Sequence, residues 1–400
     1  MRHKTAWGLP YEAFTIMPYA ILILDGETRT ALAVTRSLGK AGHTLTVASH
    51  HETLAGCSRY CKSTLSYPNP STDPNGFCSW VTSELKKNTY QAILPLTDLS
   101  LSTLYTIESE VRALTVFPFS EKASFEKVRN KFSLTKAAKE HGIRSPITQC
   151  VKHGENLNAL KLPSTTSVLK PVETLISTKS GKEKVSTVYV QSIEEARIHL
   201  EAHPLGEFLI QEHIEGPGIG ISVLVSEGKV KTYFSHKRIL EKPPRGGVSV
   251  LSKSIETDKT MLKKVEALLS SVQFYGVAMV EFKQTSSGEL VLLEINPRFW
   301  GSLQLAIDAR IDFPVDLVEL CLSKREPSAK ELTEEVTLRW ELGCIDHALS
   351  MLKTQPIAFI RKVLSSNYFS LFSGTRLEVL RHEDPRPFFR ELKLWLKSAL

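Results

Sequence analysis

None of the six cysteines of this chain forms a Cys-x-x-Cys pair. Cys57 and Cys61 stand at a helical spacing, but no second ligand pair follows at zinc-finger distance, so a structural zinc is not expected and a reduced, cytoplasmic setting fits. Long apolar runs are missing as well. The first, Ala20-Ile-Leu-Ile-Leu24, is far too short to span a bilayer and reads as a buried strand. No signal-peptide pattern precedes it, and the residues before 17 read as a loose extension. Charge of one sign is scarce: 50 Lys plus Arg stand against 43 Asp plus Glu, a net +7 over 400 residues with no dense basic run. That suits a phosphorylated small ligand and gives no ground for a nucleic-acid partner. Glycine is sparse where a dinucleotide site needs it. The turn after the first strand reads Asp25-Gly-Glu-Thr-Arg29, which lacks G-x-G-x-x-G and argues against a nicotinamide-binding domain. Internal repeats and low-complexity segments are absent too.

What is present is an ordinary globular composition, 42% apolar and 23% charged, on a chain long enough for two or three cores. From residue 18 to 118, strand-like and helix-like stretches alternate. Strands are expected at 20–24, 44–48, 92–94 and 114–117, and helices around Ala31, Val34 and Leu38 and around Phe77, Val81 and Leu85. Such alternation predicts an open parallel sheet covered by helices. A helix over 132–140 stops at Gly142, a short strand ends at Lys170, and 193–200 is helical. Hairpins follow: 219–226 with 230–235 across Glu227-Gly228, and 277–283 with 290–295. Between them, Met261, Leu262, Val265, Leu268, Leu269 and Val272 form one helical stripe.

The last hairpin carries the sharpest chemistry. With Ser287-Gly288 as a two-residue turn, Glu281 and Glu294 stand opposite each other on one face, Cβ atoms about 5 Å apart. Asn296 leaves the same face. Two opposed carboxylates in apolar strands repel, and a shared divalent cation removes that penalty. An all-oxygen donor set from two Glu and an Asn favours Mg²⁺, with Mn²⁺ as the alternative. Arg298 adds a fixed positive charge suited to a transferring phosphoryl group.

The spacing Glu281, then Glu294-x-Asn296-x-Arg298, resembles the metal-binding hairpin of the ATP-grasp superfamily, and the resemblance runs from about residue 20 to 320. It implies an α/β and α+β chain: a pre-ATP-grasp parallel-sheet domain over 18–118, a two-lobed ATP-grasp domain over 119–325 (lobes 119–205 and 206–325), and a C-terminal helical extension over 326–400. In that family the two Glu and the Asn hold Mg²⁺ against nucleotide phosphates while the Arg assists phosphoryl transfer. Asn130-Lys131, followed by Gly142-Ile-Arg-Ser-Pro146, and Lys170 in Val168-Leu-Lys-Pro171 are similar to the two phosphate-binding lysines. Leu209-Ile-Gln-Glu-His-Ile-Glu-Gly216 resembles the adenine-binding linker, which implies the backbone of Glu212 and Ile214, the Gln211 side chain and the neighbouring His213 as nucleotide contacts. Two departures stand out. The phosphate-covering loop, Glu173-Thr-Leu-Ile-Ser-Thr-Lys-Ser-Gly-Lys182, has one glycine, and Gly218 occupies the usual place of a ribose-binding Glu, for which Glu215 is the substitute.

The stretch from Ser235-His-Lys-Arg238 to Arg245-Gly-Gly-Val-Ser249, with Phe299-Trp-Gly-Ser-Leu-Gln304 and Asp312-Phe-Pro314, looks like a subgroup of predicted ATP-dependent carboligases. Arg238 and Arg245 are candidates for a substrate carboxylate or an acyl phosphate. His236 is a candidate proton acceptor, and Asp98, at the end of an N-terminal strand, a candidate contact for a substrate amine. Near the C-terminus, Phe388, Phe389, Leu392, Trp395 and Leu396 form an apolar stripe for packing on the body of the enzyme or on a second subunit, as in a homodimer. A membrane surface is the other reading. The expected reaction is ATP- and Mg²⁺-dependent ligation of a carboxylate to an amine through an acyl phosphate, releasing ADP. The rivals are a carboxyphosphate-forming or kinase-like enzyme, and a regulatory nucleotide binder without turnover.

Overall fold

The computed structural model describes residues 18–155, 162–172, 175–178, 181–244, 246–327, 330–364 and 373–399. The expected extension before residue 17, the candidate Arg245, and Glu173, Thr174, Lys179 and Ser180 of the covering loop lie outside them.

Strands β1 (Ala20–Ile23), β2 (Thr44–Ser49), β3 (Ser63–Ser66) and β4 (Ala92–Leu94) form a parallel sheet in the order β3-β2-β1-β4. β1 is central and buried on both faces, which is why it reads as an unbroken apolar run. Helices Arg29–Lys40 and Pro74–Lys87 run between its strands, capped by Thr28 and Asp73, whose side chains accept from Ala31 N and Gly76 N. The strand expected at 114–117 does not form. Leu114 closes helix Glu108–Leu114, and Val116 makes one bridge to Ala92 before Pro118, which has no N–H to continue a ladder.

Four antiparallel strands follow: β5 (Thr148–Lys152), β6 (Ser167–Pro171) and, after a separate hairpin of β7 (Leu175–Thr178) and β8 (Gly181–Lys184), β9 (Val188–Val190) and β10 (Glu207–Glu212). Their order is β5-β10-β6-β9. The larger sheet contains β11 (Gly218–Ser226), β12 (Lys229–Lys242), β13 (Val248–Ile255), β14 (Gly276–Gln284), β15 (Leu290–Asn296), β16 (Thr337–Arg339) and β17 (Arg376–Leu377), in the order β15-β14-β11-β12-β13-β16-β17. Glu227 and Gly228 both take positive φ, 53° and 71°, closing the β11–β12 turn as a primed hairpin turn requires. The basic stretch after Ser235 is mostly strand, on β12 and the start of β13.

The segment after residue 325 contains helices Glu341–Thr354, Pro356–Leu364 and Arg386–Ala399, and also lends β16 and β17 to the large sheet. It returns to helix Arg29–Lys40. The Arg36 guanidinium donates to Asp384 Oδ2 at 2.9 Å and to the carbonyls of Glu378, Val379 and Asp384 at 3.2, 2.9 and 2.8 Å. The Asp384 carboxylate also accepts from Ser58 Oγ at 2.7 Å and Arg59 N at 2.9 Å, with 1% of its side chain exposed. Removing one partner leaves a buried charge unpaired, so Asp384→Ala is expected to lose about 3–5 kcal/mol of stability in urea denaturation. A loss within error of zero would show that this segment docks without the pair.

Candidate active site

The hairpin of β14 and β15 differs from the expected one in two ways that offset each other. Its loop has three residues, not two: Thr285 N donates to Glu289 O at 2.9 Å, and Gly288 sits at φ 86°. Next to the loop, Gln284, Lys283 and Phe282 therefore face Leu290, Val291 and Leu292. A bulge then places Leu293 as an extra residue on β15 and shifts the register by one. Beyond it, Glu281 faces Glu294 and Met279 faces Asn296, so the carboxylates meet as the sequence predicts. The carbonyl of Leu293 accepts from Lys170 Nζ at 3.4 Å, linking β15 to β6 of the small sheet.

Around the carboxylates the structure gathers compensating charge. Glu294 Oε2 lies 3.4 Å from Lys131 Nζ, and Glu281 Oε2 lies 2.6 Å from the Arg238 guanidinium. Asn296 Nδ2 donates to Glu281 Oε1 at 3.0 Å and to Glu294 Oε1 at 3.4 Å. Burial alone would raise the Glu294 pKa, but Lys131 and Lys170 outweigh it and hold the carboxyl at about 2. Glu281 goes the other way, raised by burial and by Glu294 against the pull of Arg238. Burial, reinforced by Lys131, lowers Lys170 to about 8. Lys131 is positioned as the first residue of helix Lys131–Glu140, whose cap is Asn130: its side chain accepts from Phe132 N and Ser133 N.

Arg298 follows the hairpin and is pinned from the N-terminal sheet. Its Nη2 donates to Asp98 Oδ2 at 2.6 Å and to Asn296 Oδ1 at 3.3 Å. Burial opposes both charges, yet the pair prevails: Asp98 is held below the usual carboxylate range and Arg298 is raised. Asp98 begins helix Asp98–Leu104, capped by Thr97, and is oriented by Asp25, whose carboxylate accepts from Leu96 N, Thr97 N and Ser100 Oγ at 2.8, 2.9 and 2.6 Å. Asp98 thus faces Arg298 instead of standing open to a substrate amine.

Arg238 is an inner neutraliser of Glu281 in this structure, also 3.4 Å from Glu241. Gly218 makes room for it, since a Cβ there would lie 2.9 Å from Arg238 Cδ. His236 is fully buried, 3.3 Å from Ser302 Oγ, and burial beside Arg238 pushes its pKa to about 3, which makes it a poor base. Gln211 Nε2 donates to Thr148 Oγ1 at 2.8 Å, and Glu212 accepts from Ile147 N at 3.2 Å with Arg144 at 3.4 Å. His213 N donates to Ser164 Oγ, Ile214 is buried and Glu215 is exposed. The linker ends at Gly216 (φ 137°), where a Cβ would sit 1.9 Å from Gln284 O; only glycine lets linker and hairpin approach so closely. Phe299 and Trp300 are core residues, Trp300 edge-on to Phe313 at 5.0 Å. Among the described residues, no group of three His, Cys, Asp or Glu side chains is placed to hold a metal.

Residues 205–344 match the sequence profile of a family described as ATP-grasp in the biosynthetic pathway with Ter operon. The fold is similar to L-amino acid ligase from Bacillus licheniformis (TM-score 0.60, 16% identity, 77% of this chain and 75% of that chain). It is similar to N5-carboxyaminoimidazole synthetase from Staphylococcus aureus complexed with ADP (0.60, 15%, 80% and 81%). It is also similar to biotin carboxylase from Campylobacter jejuni, solved as a β-γ-ATP complex (0.61, 12%, 79% and 74%). No curated protein sequence matches the chain.

The Asp98–Arg298 pair has a pH signature. An acid whose pKa is lowered on folding stabilises above its unfolded value, about 3.9, and loses that contribution as pH falls through the folded value. The stability gap between the wild type and Asp98→Asn is therefore expected to be full at neutral pH and to close below about pH 4. Urea titrations across pH measure it, and a gap that persists unchanged at low pH would contradict the pairing.

Proposed function

We propose that this chain, whose fold is that of the ATP-grasp ligases, binds ATP with magnesium between the four-stranded antiparallel sheet and the large seven-stranded sheet and activates a carboxylate for capture by an amine. The observation that supports this best is the opposition of Glu281 and Glu294 beside Asn296, with Lys131, Lys170, Arg238 and Arg298 around them. The donor set fits the metal: Glu281, Glu294 and Asn296 offer oxygens alone, the preference of Mg²⁺ or Mn²⁺. These three would hold the ion, whose chemistry there is to neutralise the transferring phosphoryl group. Lys131 and Lys170 fit a polyphosphate, since both are under 9% exposed and Lys170 is short of anionic compensation.

In this reading residues 18–118 form the N-terminal domain, 119–325 the nucleotide-binding body and 326–400 the extension. The linker residues Gln211 to Glu215 take the adenosine part, and Lys131 and Lys170 the phosphates. A substrate carboxylate oxygen attacks the γ-phosphorus, the bond to the bridging oxygen of ADP breaks, and an acyl phosphate forms. Arg298, steadied by Asp98, stabilises the charge spread over the phosphoryl oxygens. Arg238 is assigned to the substrate carboxylate or the acyl phosphate, and would divide its donors between that group and Glu281. The amine then attacks the acyl carbon, phosphate leaves, and the amine proton passes to a base other than the depressed His236.

Glu294→Ala is expected to abolish ADP release in a screen of carboxylate and amine pairs while the chain still folds, with a melting temperature lowered because Lys131 and Lys170 lose their buried anionic partner. With a pair in hand, ¹⁸O from the carboxylate should appear in the released phosphate, and production of AMP instead of ADP would refute the acyl-phosphate route. A second test concerns Lys170, which in the free protein titrates near 8. Near that pH nucleotide binding is expected to take up protons as the phosphates restore the ammonium charge. Calorimetry in two buffers of different ionisation enthalpy reads the uptake, and Lys170→Met should remove it.

A further inference from the structure

The C-terminal helices leave an apolar face without a partner among the described residues. Ile345, Leu349 and Leu352 of helix Glu341–Thr354 are 44%, 54% and 49% exposed, and Ile357 and Ile360 of the next helix and Phe389 and Leu396 of helix Arg386–Ala399 are exposed as well. Trp340 Nε1 donates to Glu391 at 2.9 Å and Trp395 Nε1 to Asp346 at 2.8 Å, so the first and last of these helices run side by side in the same direction. At about 100° per residue, the stripe of Ile345, Leu349 and Leu352 lies roughly a quarter turn to one side of Asp346. Phe389 and Leu396 lie about the same angle from Trp395 in the opposite rotational sense. For two parallel helices facing each other, those displacements bring both stripes to the same side of the pair.

Charge on these helices is sorted by sign. Every acid points inward: Glu341 accepts from Val379 N and Leu380 N at 3.2 and 2.6 Å, Asp346 pairs with Lys242 and Trp395, and Glu391 accepts from Trp340. Lys353, Arg361, Arg386 and Lys393 are exposed. No helix of the described residues is long and apolar enough to cross a membrane. We propose that this face docks on an anionic lipid surface, its aliphatic and Phe389 side chains entering the headgroup boundary and its cations meeting lipid phosphates. A second copy fits less well, because a twofold contact would set the same cations against one another.

Flotation of the full chain with vesicles tests this. The chain is expected to float with vesicles of equal parts phosphatidylcholine and phosphatidylglycerol, to stay behind with phosphatidylcholine alone, and to be released by salt. Leu349→Glu and Phe389→Glu should each lower the partition at least about tenfold, and Lys393→Ala about fivefold, with melting temperatures unchanged. Absence of flotation with the anionic vesicles overturns the proposal. So does a concentration-dependent dimer that Leu349→Glu dissociates while lipid binding stays absent, which would assign the face to a second copy.

Discussion

Two carboxylates held across one buried hairpin have to be neutralised, and much of the central architecture does that. Glu281 and Glu294 leave the same face of β14 and β15, and no rotation of either strand separates them without turning apolar neighbours outward. Each carboxylate therefore takes a cation from a different part of the chain: Arg238 from β12 of the same sheet, and Lys131 from the start of a helix. Asn296 donates to both. The consequence is asymmetric, with Glu294 near 2 and Glu281 raised, so one carboxylate keeps its charge firmly while the other titrates more readily.

The same centre fixes how the sheets meet. Lys170 reaches from the small sheet to the Leu293 carbonyl, a group the bulge makes available by lifting one residue out of register. Asp98 reaches from the edge of the parallel sheet to Arg298. Behind it Asp25, itself buried and raised in pKa by burial, ties down the amides of Leu96 and Thr97, so the position of Arg298 traces back to the turn after β1. A disturbance at Asp25 is transmitted through backbone amides and one ion pair.

The parts of this site that local rules govern could be read from the sequence. Opposed acids in alternating strands are a period signal, and the pairing of Glu281 with Glu294 follows from it, whereas Lys131 and Lys170 are marked by the family resemblance of Asn130-Lys131 and Val168-Leu-Lys-Pro171. The loop and the bulge could not be read separately. A loop of three residues with one extra residue on β15 gives the same pairing at Glu281 as a two-residue turn with none. The partner of Asp98 was illegible for a different reason, since 200 residues separate it from Arg298. The docking of Asp384 on Arg36 likewise depends on how whole elements pack, as does the choice of inward acids on the C-terminal helices.

The charge arrangement also bears on the order in which ligands would be accommodated. In the structure Lys131 and Lys170 are the main reason Glu294 stays ionised at so low a pH. A polyphosphate drawn to those lysines would take up the same positive charge and leave Glu294 and Glu281 facing each other with Arg238 alone as a close cation. A divalent ion would then be needed more with the polyphosphate present than without it. By linkage the ion would strengthen polyphosphate binding by the same factor. Under the proposed function, the compensating lysines would thus make metal and nucleotide mutually dependent through electrostatics alone, with no movement of the sheets required.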